Sequence, residues 1–263
     1  MASLRRGATG PDVIVLQQAL QAHGFPPGNI DGVFGLGTEA AVLAFQKSAG
    51  LLADGLAGSR TLAALGIPDE EPTPIPGMTI FIASMMFPYT PIGNIKQNLP
   101  IVLGSLVKAE VTAKPMVLTA LATIRAETET FEPIPEGRSR YNSSPNGHPF
   151  DLYDNRRDLG NTGPPDGFLY RGRGYIQLTG RFNYAKYGAH LGMGEQLIAQ
   201  PDLACEPDIA ADLLVAFLHD KQAAIEEALL YQELSRVRRL VNGGTHGLER
   251  FMEAYQVGEK LLP

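Results

Sequence analysis

Two stretches of this chain repeat one another: Asp31-Gly-Val-Phe-Gly35-Leu-Gly-Thr38 is echoed 23 residues later by Asp54-Gly-Leu-Ala-Gly58-Ser-Arg-Thr61. Each leads into helix-like sequence, AAVLAFQKSAG and LAALG. An Asp-Gly pair makes a tight turn, because glycine takes positive φ without steric cost. The threonine then stands where its hydroxyl can cap the next helix by accepting an orphan amide hydrogen bond. Ahead of the first copy, Val13, Leu16, Gln17 and Leu20 recur at helical spacing. One helix followed twice by a turn and a helix predicts a compact three-helix unit over residues 1–66.

The chain changes character directly afterwards. Residues 68–77, Pro68-Asp-Glu-Glu-Pro72-Thr-Pro74-Ile-Pro76-Gly77, hold four prolines in ten. Proline removes backbone donors and favours extended chain, so 67–77 reads as a semi-rigid spacer. The remainder, 78–263, is large enough for a second domain. The small unit resembles the peptidoglycan-binding domain common in cell-wall hydrolases. The resemblance runs from Leu4 to Leu65, through Val13-x-x-Leu16-Gln17, Gly24-Phe25, Ile30-Asp-Gly-Val-Phe-Gly35, Ala41-Val42-x-x-Phe45-Gln46 and Gly58-x-x-Thr61. It implies a wall ligand, glycan or stem peptide, while most of these residues have structural work in turns and core.

Charge narrows the partners. The net charge is -6, and each side of the Pro-rich stretch is acidic without a basic stripe, which argues against nucleic acid. Long-range attraction to an anionic wall is equally absent, so wall binding has to come from local contacts. No apolar run reaches the ~18 residues a membrane helix needs. The N-terminus has two arginines but no apolar stretch behind them, so it is not a signal peptide. The expectation is a monomer made in the cytoplasm that reaches the wall after release or export. Cys205, the single cysteine, reads as a structural thiol.

The larger domain reads as mainly α. Ile95, Leu99, Val102, Leu103 and Leu106 form one amphipathic run, and Met116 to Ile124 a second. Ile209, Leu213, Ala216 and Phe217 head a long third. Leu234, Val237 and Leu240-Val241 make a fourth, stopped by Gly243-Gly244, and Leu248, Phe251, Met252 and Tyr255 a fifth. Between 133 and 190 the chain turns to Gly, Pro, Asn, Asp, Arg and Tyr. A long polar stretch with interleaved aromatics is a functional loop more often than a disordered one.

In PMVLTALATIRAETETFEP, Val117, Leu121 and Ile124 mark a buried face, and Glu127 borders it near the helix end. A carboxylate half-screened from water holds its proton more tightly, as a general acid must. Glu129 turns away around the helix and reads as a solvated charge; Glu132 fits either role. Glu136 follows in Pro133-Ile-Pro-Glu136-Gly137, its direction held by flanking prolines; a lone loop glutamate is otherwise simply solvent-exposed. Farther on, Tyr175-Ile-Gln-Leu-Thr179 alternates. If extended, it presents Tyr175, Gln177 and Thr179 on one face and sends Ile176 and Leu178 to the core. Amide, hydroxyl and aromatic groups on one face suit a sugar, although an ordinary half-buried strand shows the same pattern.

Tyr170-Arg-Gly-Arg-Gly174, Gln177-Leu-Thr-Gly180, Asn183-Tyr184, Val241-Asn-Gly-Gly244 and Arg250-x-x-x-x-Tyr255 together resemble glycoside hydrolase family 19, which includes chitinases and phage endolysins. That resemblance implies an α-rich, lysozyme-like catalytic domain needing neither metal nor cofactor. Glu127 stands at the catalytic acid, although the histidine that usually precedes it is Ala126 here. Glu136 stands at the second glutamate as spaced in the short-looped endolysins. Thr179 stands where a hydroxyl helps hold the attacking water. Gln177, Asn183, Asn242 and Tyr170 stand at substrate-binding positions, and Arg250 at an arginine that orients the second carboxylate. The implied reaction is a single displacement with inversion, in which the carboxyl groups lie ~6.5–9.5 Å apart rather than the ~5 Å of retaining enzymes. Nine residues of separation permit either spacing. The expected substrate is peptidoglycan glycan; a chitinase and a non-catalytic wall-binding protein are the alternatives.

Overall fold

A computed structural model describes residues 3–67 and 73–262. The chain divides into two compact units, Met1–Pro72 and Thr73–Pro263. Ile67 belongs to the core of the first and Ile75 to that of the second. Residues 68–72 of the expected spacer lie outside the described residues.

The small unit has three helices, α1 (Pro11–Ala22), α2 (Leu36–Ser48) and α3 (Ser59–Ala64). Its repeat is a hydrogen-bond device used twice. From α1, the Gln17 amide donates to Asp31 Oδ1 (3.0 Å), the Val33 carbonyl (3.1 Å) and Thr38 Oγ1 (3.1 Å), and accepts from the Gly32 amide (2.9 Å). From α2, Gln46 does the same with Asp54 (2.9 Å), Leu56 (2.9 Å), Thr61 (3.0 Å) and Gly55 (3.0 Å). Each buried glutamine therefore pins the turn that launches the next helix. Thr38 and Thr61 are not the caps expected of them: Gly35 and Gly58 hold those positions. The threonines sit inside the first turn because the glutamine amide needs a buried acceptor there.

The large unit is mainly helical, with a long irregular segment over 128–165 and a turn over 170–180 between its helices. It comprises α4 (Ile80–Met86), α5 (Ile92–Lys108), α6 (Lys114–Glu127), α7 (Asp166–Leu169), α8 (Arg181–His190), α9 (Gln196–Ala199), α10 (Pro207–His219), α11 (Gln222–Leu230), α12 (Leu234–Asn242) and α13 (Leu248–Leu261). The long third run of the sequence is two helices, broken at Asp220-Lys221. No helix among the described residues is long and apolar enough to cross a membrane.

Helix α6 is the axis of this unit. Every residue from Met116 to Ala126 is buried, so it has no single buried face, unlike the amphipathic helix its apolar spacing predicts. Helices α13 and α4 pack on it, and α5 packs against α10. Burial on all sides delivers the last residue of α6, Glu127, to the edge of the core.

Candidate active site

Glu127 closes α6 with its side chain 11% exposed, and its Oε1 lies 2.8 Å from Nη2 of Arg238, which is wholly buried. Burial raises the proton affinity of Glu127 above the ordinary carboxylate value. The Arg238 guanidinium opposes this without cancelling it, helped by smaller effects of His246 and Arg250. Two residues on, Glu129 is not the solvated charge expected. Its carboxylate bridges Arg125 (2.9 Å) and Arg250 (2.8 Å). Partial burial works the other way, but the two arginines hold its pKa below the usual range.

Between the two candidate carboxylates, the chain is anchored by Phe131, which is buried against Phe87 and Tyr175. Glu136 then meets a different set of partners. Its Oε1 accepts from Asn142 Nδ2 (2.8 Å) and the Tyr153 hydroxyl (3.0 Å), and its Oε2 from the Gly172 amide (3.2 Å). Its own amide donates to the Gly172 carbonyl at 2.7 Å. Burial and the adjacent carboxylate push the Tyr153 hydroxyl up to about 12, so it stays a donor. Asn142 is fully buried and holds its loop together, accepting from the Ser139 amide and Ser143 hydroxyl while donating to the Gly137 carbonyl.

The expected strand over 175–179 is a turn. Arg173 and Leu178 exchange backbone hydrogen bonds of 3.2 and 2.9 Å around residues 174–177. Tyr175 consequently points into the core with its hydroxyl on Asn98, rather than sharing a face with Gln177 and Thr179. Gln177 takes a left-handed φ of 51°. Its amide stabilises that geometry by donating to the Ile134 (2.8 Å) and Gly174 (3.1 Å) carbonyls. This ties the turn to the segment bearing Glu136. Gly172 makes the close approach possible, since a Cβ there would sit 2.8 Å from Gln177 Oε1 and 3.2 Å from Glu136 Oε2. The Thr179 hydroxyl donates to the Gln177 carbonyl (2.8 Å), and Asn183 Nδ2 donates to the Thr179 carbonyl (2.8 Å). Glu136, Gln177, Thr179 and Asn183 are therefore linked through one hydrogen-bonded turn.

Two expectations change. Tyr170 is 2% exposed, packed on Tyr184 with its hydroxyl directed to the Ile198 carbonyl, so it is core rather than substrate surface. Arg250 is paired with Glu129 rather than with Glu136. Arg173 of the glycine-rich signature is scaffold: almost fully buried, it reaches Asp202, the Leu169 carbonyl and the Tyr184 hydroxyl. Asn242 ends α12 in an exposed position, with Nδ2 3.4 Å from the His246 carbonyl.

Asn142, Tyr153, Arg238 and His246 were absent from the residues drawn from the sequence. For Arg238 a signal existed. Leu234, Val237, Arg238 and Val241 follow i, i+3, i+4, i+7, which puts a cation on the apolar stripe of α12. Asn142 and Tyr153 lie in an aperiodic loop that offers no such signal.

Parts of the chain are similar to known proteins. Residues 9–65 match the family model "Putative peptidoglycan binding domain". The spore cortex-lytic enzyme of Bacillus cereus is 53% identical over 58 residues, 22% of this chain and 22% of that protein. A glycosyl hydrolase family 19 domain-containing protein of Haemophilus influenzae is 30% identical over 132 residues, 49% of this chain and 62% of that protein. Chitinase C of Streptomyces griseus aligns in structure with a TM-score of 0.49 at 22% identity, covering 70% of this chain and 76% of that one. The chain spans about a fifth of the length of the first curated relatives it matches.

Proposed function

We propose that this chain, a peptidoglycan-binding domain joined to a region similar to family 19 glycoside hydrolases, is an endolysin-type enzyme. In this reading it cleaves β-1,4 glycosidic bonds of bacterial wall glycan with Glu127 as acid and Glu136 as base. One observation supports it above the rest: the two carboxyl groups occupy opposed surroundings. Glu127 is screened from water and has a raised proton affinity, while Glu136 accepts from three neutral donors. Pairs of carboxyl groups in contrasting environments divide acid and base work between them.

In the proposed cycle Glu127 protonates the glycosidic oxygen as the bond to the anomeric carbon breaks. A water on the opposite face attacks that carbon and gives a proton to Glu136, inverting the centre. The single hydroxyl hydrogen of Thr179 is spent on the Gln177 carbonyl. Its oxygen therefore offers only lone pairs, to accept the second hydrogen of the attacking water. Gln177 acts chiefly by holding this turn, and Asn183 and Asn242 remain the candidate sugar contacts. The small unit keeps the enzyme on the wall.

Digestion of purified peptidoglycan, followed immediately by proton NMR of the new reducing ends, tests this. The initial product should be the α anomer, and Glu127→Gln and Glu136→Gln should each abolish turnover without loss of wall binding. Initial β anomer, or 1,6-anhydro ends, would rule out the mechanism. Cleavage of chitin oligomers with no action on wall would select the chitinase reading.

A further inference from the structure

Arg238 is an unusual residue to bury. It is wholly inaccessible, it lies on the apolar stripe of α12, and among the described residues Nη1 has no partner while Nη2 is held by an ion pair rather than by a hydrogen bond of good geometry. A desolvated guanidinium with an unused donor costs folding free energy, so packing alone does not account for it. Its other contacts run to two places. Nη2 lies 2.8 Å from Oε1 of Glu127, and Nε donates to the His246 carbonyl at 2.8 Å. That carbonyl also receives Asn242 Nδ2. The loop is pressed onto α6 immediately before Glu127: Gly247, at φ 69°, has no room for a side chain, because a Cβ would lie 2.9 Å from the Ala126 carbonyl oxygen.

Resting on the function proposed above, we infer that Arg238 is the positioning residue of the acid, clamping Glu127 to the 242–247 loop through Oε1 and leaving Oε2 to carry the proton. An acid bonded at one oxygen presents its O–H in one direction, and misplacement by about 1 Å can cost on the order of 10²-fold in rate. The same clamp couples the acid to Asn242, a candidate sugar contact, so the proton donor and that contact hold a fixed register.

The charged and titratable groups facing Glu127 are Arg238 from α12, His246 from the loop and Arg250 from α13. All three favour its ionised form, with Arg238 the strongest. An acid catalyst fails as pH rises through its pKa, so loss of the Arg238 charge moves the basic limb of the pH–rate profile upward. For a close opposite charge the shift is about 1–3 pH units.

The test uses the full chain acting on soluble, uncrosslinked peptidoglycan fragments. Arg238→Gln should lower kcat about 10–100-fold with KM little changed, and move the basic limb up. Arg238→Lys keeps the charge but not the planar fork. It should leave the limb in place while still lowering kcat. An unmoved limb in a folded Arg238→Gln protein overturns the inference. If the Gln variant does not fold, wild-type kcat in Arg238→Lys overturns it. Glu127→Gln run alongside separates the two levels. If it is inactive, a negative Arg238 result falls on the clamp alone; if it turns over normally, the two-glutamate reading fails and takes the clamp with it.

Discussion

The donors around Glu136 divide into one that aims the carboxylate and one that also builds the loop. Tyr153 reaches Glu136 through its hydroxyl alone, at 3.0 Å. Tyr153→Phe should therefore reduce kcat roughly tenfold at a stability cost no larger than the single bond lost, about 1.5–3 kcal/mol. Steady-state rates and calorimetry on the same preparation check both halves. The Asn142 side chain makes four hydrogen bonds, of which only one goes to Glu136. Asn142→Ala should lose activity and also about 1–3 kcal/mol of stability, because it strands buried partners. At the proposed water site, Thr179→Ser should retain most activity. Thr179→Val should lose about 10–100-fold, the usual contribution of a well-placed polar group near the reacting atoms. Equal rates for Ser and Val would remove Thr179 from the mechanism.

At the scale of elements, the turn over 173–178 sets the geometry near Glu136. It carries Gln177 and Thr179, tucks Tyr175 into the core and meets the chain at Ile134 and Glu136 through Gly172. Gly172→Ala leaves the turn in place but pushes it off Glu136. Its expected signature is a loss of kcat of about 10²-fold with wall binding intact, measurable by pelleting with purified wall. In the small unit the corresponding device is the glutamine clamp. Gln46→Ala leaves the Gly55 amide without its side-chain acceptor and removes one donor each from the Leu56 carbonyl and the Asp54 carboxylate. The expected cost is about 2–3 kcal/mol, read as a lower denaturant midpoint for that unit.

For the whole molecule, the two units have separate hydrophobic cores. Removal of residues 1–72 should leave hydrolysis of short soluble fragments near its full rate and sharply reduce clearing of intact walls. Loss of both activities together would show that the small unit supports the fold of the large one. Much of this architecture is legible in the sequence alone. A two-residue turn signal and helical spacing depend on neighbours in the chain, so the repeat, the helices and the placing of Glu127 at a helix end followed from local sequence. Contacts between distant segments did not. Arg250 lies on Glu129 and Tyr170 in the core. Glu136 is held by Asn142, Tyr153 and Gly172, and Glu127 by an arginine 111 positions away. Residue type and spacing along the chain determined which elements form and which acids border them. Only the packing of α12 and α13 and the polar loop around α6 decided which groups face those acids, because burial and charge pairing act through space.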